Sequence, residues 1–144
     1  METRHFEIMD PNKPINMPVR ATKNSAGYDL CAAQDVTIEP GAKAIIRTNV
    51  VAYMPEDEVL LLFPRSSYGI KHNLMLANGV GVIDADYRQE ILVCYRNIGD
   101  KPFHISQGER IAQGVFCKYW KAARDTSKDE RIGGIGSTGN GAIR

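Results

Sequence analysis

The chain has 144 residues, enough for one domain with a real core, and its 18 Lys and Arg against 17 Asp and Glu leave a formal net charge of +1. That near-neutrality excludes a general nucleic-acid or anionic-membrane surface, which draws on many unpaired cations. No apolar run approaches the roughly 20 residues of a membrane span, no apolar stretch marks a signal peptide, and Cys31, Cys94 and Cys117 are odd in number and far apart, so a soluble, intracellular (cytoplasmic) protein with reduced, partly buried thiols is expected.

The run Ala26-Gly-Tyr-Asp-Leu30 sets the carboxylate of Asp29 ahead of a first predicted strand at 36–38, which ends on the turn signal Glu39-Pro-Gly41. A second strand, 44–54, stops at Met54-Pro55. The apolar strand 59–63 runs into Pro64-Arg-Ser-Ser67, which puts a guanidinium and two hydroxyls at a strand end. Arg is always charged and offers paired donors, so with hydroxyls it suits an anion, although one such turn says little. A helix is conceivable near 66–73, weakened by Gly69.

The segment Asn78-Gly-Val-Gly-Val-Ile-Asp-Ala-Asp-Tyr-Arg88 is the most informative. Gly79 and Gly81 allow positive φ or close backbone approach, and Val80, Val82 and Ile83 suit a pleated surface, so a ligand can lie against the main chain. Asp84 follows the apolar run, a partly dry start for a base if something polar orients it. Alone, the segment reads more simply as two aspartates, Asp84 and Asp86, opening a turn.

Strands follow at 90–95, 103–105 and 115–119, with the turn Asn97-Ile-Gly-Asp-Lys-Pro102 between the first two. Gly108-Glu-Arg-Ile-Ala-Gln113 adds a cation and an amide just before the last strand. Residues 121–130 are charged without apolar periodicity and read as a linker. Arg131-Ile-Gly-Gly-Ile-Gly-Ser-Thr-Gly139 can fold over a phosphate through backbone amides, though glycine-rich ends are commonly disordered. Short strands with tight turns imply an all-β sandwich, barrel or jelly roll over residues 1–120, with residues 121–144 as linker and arm. His5, His72 and His104 lack metal-ligand spacing and read as surface or loop residues.

The order and spacing of these pieces resemble the trimeric dUTP pyrophosphatase (dUTPase) family, whose five motifs match Ala26 to Leu30, Pro64 to Ser67, Gly79 to Arg88, Gly108 to Gln113 and Arg131 to Gly139. The resemblance implies a β jelly roll with a mobile carboxy-terminal arm and the hydrolysis of dUTP to dUMP and pyrophosphate, which limits uracil in DNA and supplies dUMP for thymidylate synthesis. It implies Asp84 as the carboxylate that activates water against the α-phosphorus, Arg65, Ser66 and Ser67 as phosphate contacts, and Gln113 as an amide on the phosphates or the water. Mg²⁺ would be held mainly by the phosphates, with Asp29 touching its water shell. Asn78, Gly79, Val82 and Ile83 would form the uracil-reading hairpin, and Tyr87 would pack under deoxyribose. Arg131, Ile135, Gly136, Ser137 and Thr138 would close over the nucleotide. A homotrimer with three active sites shared between subunits follows from the same resemblance.

Three positions depart from the family pattern. Gln89 stands where glycine is usual, Ile135 stands where a phenylalanine stacks on uracil, and the arm is one residue shorter between Arg131 and Gly133. Base stacking is worth about 1–3 kcal/mol, so weaker closure is expected without loss of chemistry. Of the other readings, a dCTP deaminase of the same fold needs a catalytic glutamate where this chain has Cys94, and a thiol does not replace that carboxylate. A regulatory protein-binding module on the same scaffold has no need of Asp84, Arg65, Gln113 and Tyr87 together.

Overall fold

The computed structural model describes residues 3–136. Eleven strands and one helix follow one another as β1 (His5–Ile8), β2 (Tyr28–Cys31), β3 (Val36–Ile38), β4 (Lys43–Arg47), β5 (Val50–Tyr53), β6 (Glu58–Pro64), α1 (Ser66–His72), β7 (Leu74–Leu76), β8 (Gly81–Ile83), β9 (Leu92–Asn97), β10 (Phe103–Ile105) and β11 (Arg110–Lys118). They pair antiparallel in the orders β2-β11-β6-β8, β4-β9-β7, β1-β5 and β3-β10, the jelly-roll arrangement that many short strands with tight turns anticipate. Among the described residues no helix is long and apolar enough to cross a membrane.

Period-two alternation decides which side of each sheet is dry. On the four-stranded sheet Leu30, Leu60, Leu62, Ile83 and Ala112 point inward, and on the three-stranded sheet Ile46, Leu74, Leu76, Val93 and Tyr95 do so; together they form one buried cluster. The opposite face of the large sheet carries Asp29 beside Gln113, Gln113 beside Phe63, Val115 beside Leu61, Leu61 beside Val82, and Cys117 beside Val59. This second face is only half-buried to exposed, with its polar pair at one end and an apolar stripe along the rest.

Several elements differ from the sequence expectation. The strand expected over 44–54 divides into β4 and β5 because Asn49 adopts a left-handed φ of 59°, a conformation Asn tolerates well, and β4 then pairs with β9 while β5 pairs with β1. Strands β1, β2 and β7 went unread because they are short and only part-patterned, and β11 begins earlier than 115, through Gln113 and Gly114. The helix does form. Asn73 caps its carboxy terminus in the left-handed region with its N–H on the Tyr68 carbonyl, and Lys71 and His72 complement the last turn. The three cysteines are free and partly buried, as expected. Past β11, no strand or helix occurs through residue 136.

Candidate active site

The sequence-predicted residues fall at two corners of the large sheet. At the first corner Asp29 and Gln113 sit opposite each other on β2 and β11, and the Gln113 Nε2 donates to the Pro64 carbonyl at 3.3 Å. Arg65, the residue entering α1, donates from Nη1 to the Arg110 carbonyl at 2.8 Å, while Arg110 Nη1 lies 3.4 Å from Asp29 Oδ2. Ser66 and Ser67 follow in the first turn of the helix, Ser66 exposed and Ser67 half-buried. The Gln113 side chain packs against Gly27, where an added Cβ would stand 2.6 Å from Gln113 Oε1 and would push that amide aside. A guanidinium, two hydroxyls and an amide thus converge beside one carboxylate, a set suited to a polyanion.

The second corner is built on the turn between β7 and β8. Gly79 has φ 75° and donates its N–H to the Leu76 carbonyl at 3.1 Å, while Gly81 approaches so closely that a Cβ there would lie 2.9 Å from Leu62 Cβ. Both freedoms anticipated for these glycines are used. Beside the turn opens a cavity of about 560 Å³, large enough for a nucleoside. Asn78, Val82, Ile83, Asp84 and Tyr87 line it, with Ile45, Leu92 and Cys94 as its apolar wall and Arg131, Ile135 and Gly136 of the arm at its mouth.

Tyr87 is 8% exposed, and its hydroxyl donates to the Glu90 carbonyl at 2.8 Å. Burial, then the neighbouring Glu90 charge, pushes that hydroxyl above its ordinary pKa, so it stays a neutral donor and offers its ring to the cavity. Asp84 is less dry than its sequence neighbours suggested: half of its side chain is exposed, because the chain turns outward after β8. Its carboxylate is oriented instead by Arg131, whose Nη2 pairs with Asp84 while Nε bonds Asp86 Oδ1 at 2.7 Å. The arm therefore lies on the chain's own hairpin. Gly134 abuts the Tyr87 ring, where a Cβ would meet Cε2 at 2.5 Å, and faces the amide of Gln89, the residue standing in for the usual glycine. Ile135 sits at φ 40°, unusual for a β-branched residue, directly before Gly136 at 77°. Ser137 and Thr138 lie outside the described residues.

The register separates Asp84 from Arg65 and leaves the turn itself nearer to Arg65, since Gly81 pairs with Leu62. Ile83 pairs with Leu60 and Arg65 stands at the far end of β6, so Asp84 and Arg65 are about six strand residues, roughly 20 Å, apart along the sheet. Sequence reading missed Tyr68 and Glu109 at the first corner and Leu92 and Ile45 at the second. These contribute apolar area or indirect hydrogen bonds, for which short motifs leave no mark. Among the described residues no three His, Cys, Asp or Glu cluster as metal ligands. Asp29 reaching the ion through its water shell, with phosphate oxygens as the direct ligands, would nonetheless suit Mg²⁺, a hard cation that keeps several waters.

A jelly roll whose polar groups gather for an anion at one corner, next to a nucleoside-sized cavity at another, defines a class of nucleotide-binding enzyme. The profile of the dUTPase family matches residues 13–139, and the chain belongs to that family. It is 43% identical to the deoxyuridine 5'-triphosphate nucleotidohydrolase of Lactococcus lactis over 96% of this chain and 99% of that one. It is also 43% identical to the enzyme of the same name from Rickettsia prowazekii, over 86% and 88%. Among solved structures, the Streptococcus mutans dUTPase superposes with TM-score 0.76 at 38% identity, covering 82% of this chain and 98% of that one. A variant dUTPase of Staphylococcus bacteriophage 80alpha, solved with dUpNHpp, superposes at 0.78 and 27% identity over 90% and 98%. A phage phi11 variant dUTPase, whose structure concerns coordination of a structural Mg(II) ion, superposes at 0.77 and 26% over 89% and 98%.

Proposed function

We propose that this chain works as its family does, with the residue roles set out below. It hydrolyses dUTP to dUMP and pyrophosphate. The observation that carries the mechanism is the placement of Asp84 at the lip of a nucleoside-sized cavity whose floor is the glycine-rich hairpin and whose wall is Tyr87. Uracil lies against the backbone of residues 78–83 with Asn78 at its edge, and Tyr87 packs under the deoxyribose, where a 2′-hydroxyl finds no room. Asp84 holds and deprotonates the water that attacks the α-phosphorus in line; the reaction needs a positioned nucleophile and charge neutralisation more than covalent help. Arg65, Ser66 and Ser67 take phosphate oxygens, and Gln113 takes a phosphate or the water. The triphosphate outcompetes Asp84 and Asp86 for Arg131, which frees the base as the arm closes with Ile135 to Thr138 over the nucleotide. When bound, Mg²⁺ neutralises the phosphate chain and holds it in register, with Asp29 at its water shell.

The assembly we propose is a homotrimer with shared sites. Its support is the separation of roughly 20 Å between Asp84 and Arg65 along one sheet, which no motion inside a paired strand closes, together with the half-exposed apolar stripe of Val59, Leu61, Phe63, Val115 and Cys117. A second subunit's first corner set against this chain's hairpin completes a site. The three free thiols and the absence of any candidate membrane helix among the described residues support a cytoplasmic setting.

The deciding experiment is pyrophosphate release from dUTP, dCTP, dTTP and UTP with Mg²⁺, run on the parent chain and on Asp84→Asn. Release from dUTP alone, lost in the variant, is expected. Ammonia from dCTP would instead establish a deaminase, and turnover of nothing would leave a binding module.

A further inference from the structure

Tyr68 belongs to no motif and is 2% exposed, yet it touches both segments that build the phosphate corner. Its hydroxyl donates to the Glu109 carboxylate on the turn before β11, tying α1 to the fourth motif across 41 residues of chain. The Arg65 guanidinium lies over its ring, 5.6 Å from the centroid. The ring is itself held by edge contacts to Tyr95 at 5.3 Å and Phe103 at 5.4 Å. Tyr95 in turn donates its hydroxyl to the Ile111 carbonyl at 2.6 Å. Arg65 is thus held at one guanidinium nitrogen by the Arg110 carbonyl and on one face by Tyr68. A guanidinium held this way enters the encounter with a phosphate without first giving up its rotamer freedom.

We propose that Tyr68 is a positioning residue for the reaction: its ring presets the Arg65 guanidinium for the phosphate chain. The inference rests on the reading of Arg65 as a phosphate contact. A loose Arg65 still attracts the triphosphate but is aimed less often at the charge that develops in the transition state, so the loss falls on kcat more than on KM.

The test is steady-state dUTP hydrolysis by Tyr68→Leu, Tyr68→Phe, Arg65→Ala and the double variant Arg65→Ala/Tyr68→Leu, each normalised to folded protein by circular dichroism. Tyr68→Leu is expected to lower kcat about tenfold with KM changed less than about threefold, and Tyr68→Phe, which keeps the ring under Arg65, to recover most of the loss. In the Arg65→Ala background Tyr68→Leu should cost nothing further, because nothing remains to be positioned. If Tyr68→Leu does not fold, Tyr68→Met, whose flexible thioether adapts to the gap without an aromatic face, takes its place. A kcat unchanged in Tyr68→Leu or Tyr68→Met, or the same loss persisting without Arg65, overturns the proposal. Unchanged kinetics in Arg65→Ala alone overturns the phosphate reading, and this inference with it.

Discussion

The role proposed for Asp84 makes two demands of one residue: as a base it must be ionised and accessible, and as a carboxylate next to a triphosphate it must not repel its substrate. Pairing with Arg131 meets the second until the phosphates arrive. Because half of Asp84 is exposed, the pair adds little to stability. Asp84→Asn should therefore leave the melting temperature within about a degree while lowering kcat by about 10²–10⁴-fold, the usual range for a lost general base; a variant that keeps its turnover would remove Asp84 from the mechanism. Asp86 holds Arg131 without lining the nucleoside cavity. Asp86→Asn should release the arm toward phosphate and lower KM for dUTP by about two- to fivefold, a shift of under 1 kcal/mol of the size expected for one exposed charge pair. A KM that stays put or rises would show that Asp86 places Arg131 rather than competing for it.

At the scale of elements, the hairpin and the strand break that supports it depend on close approach and a buried charge network. Gly81→Ala places a methyl 2.9 Å from the Cβ of Leu62, a core residue on the paired strand. It should cost about 1–3 kcal/mol in denaturant unfolding, as overpacked cores do; an unchanged midpoint would mean that the hairpin shifts freely. The break at Asn49 is held by Glu90, which accepts from the Asn49 N–H at 2.8 Å and from Arg47 Nη2 at 2.7 Å. Burial raises the Glu90 carboxyl, but the Arg47 guanidinium and the Asn49 N–H outweigh it and hold the group below its ordinary value. A depressed folded pKa means stability that is present above the unfolded value of about 4.3 and lost as pH falls through the folded one. Glu90→Gln should accordingly melt lower than the parent at pH 7, with the difference shrinking toward zero on acidification past pH 4. A gap that persists in acid would assign the loss to packing instead.

For the whole molecule, the question is how Asp84 and Arg65, about 20 Å apart on one sheet, would serve one reaction. Sharing sites between copies predicts that two inactive variants, Asp84→Asn and Arg65→Ala, regain activity when unfolded together and refolded as a mixture, since some sites then combine an intact hairpin with an intact phosphate corner. No recovery, or a particle that elutes at the 16.0 kDa of one chain, would confine the site to a single subunit. Deleting residues 131–144 should cut kcat/KM sharply and leave assembly and melting nearly unchanged, because the described residues of the arm, 131–136, add nothing to the buried core cluster; full activity without it would end the closing role.

Much of this was legible in the chain as written. Alternation marked the strands around β6 and β9, turn residues marked their ends, and five short motifs carried the family. Such signals are local, because turn chemistry and a glycine's φ depend on a few consecutive residues. What the sequence left unread is long-range. Asn49 splits a strand because Glu90 reaches its N–H across 41 residues, Tyr68 grips a motif it does not belong to, and Arg131 meets Asp84 across 47. The composition around each of these residues is ordinary. Only the pairing of β6 with β8 and β11 decides that Asp84 and Arg65 face the same way yet stand apart, because strand register sums every turn and bulge between them, and no short stretch of sequence encodes that sum.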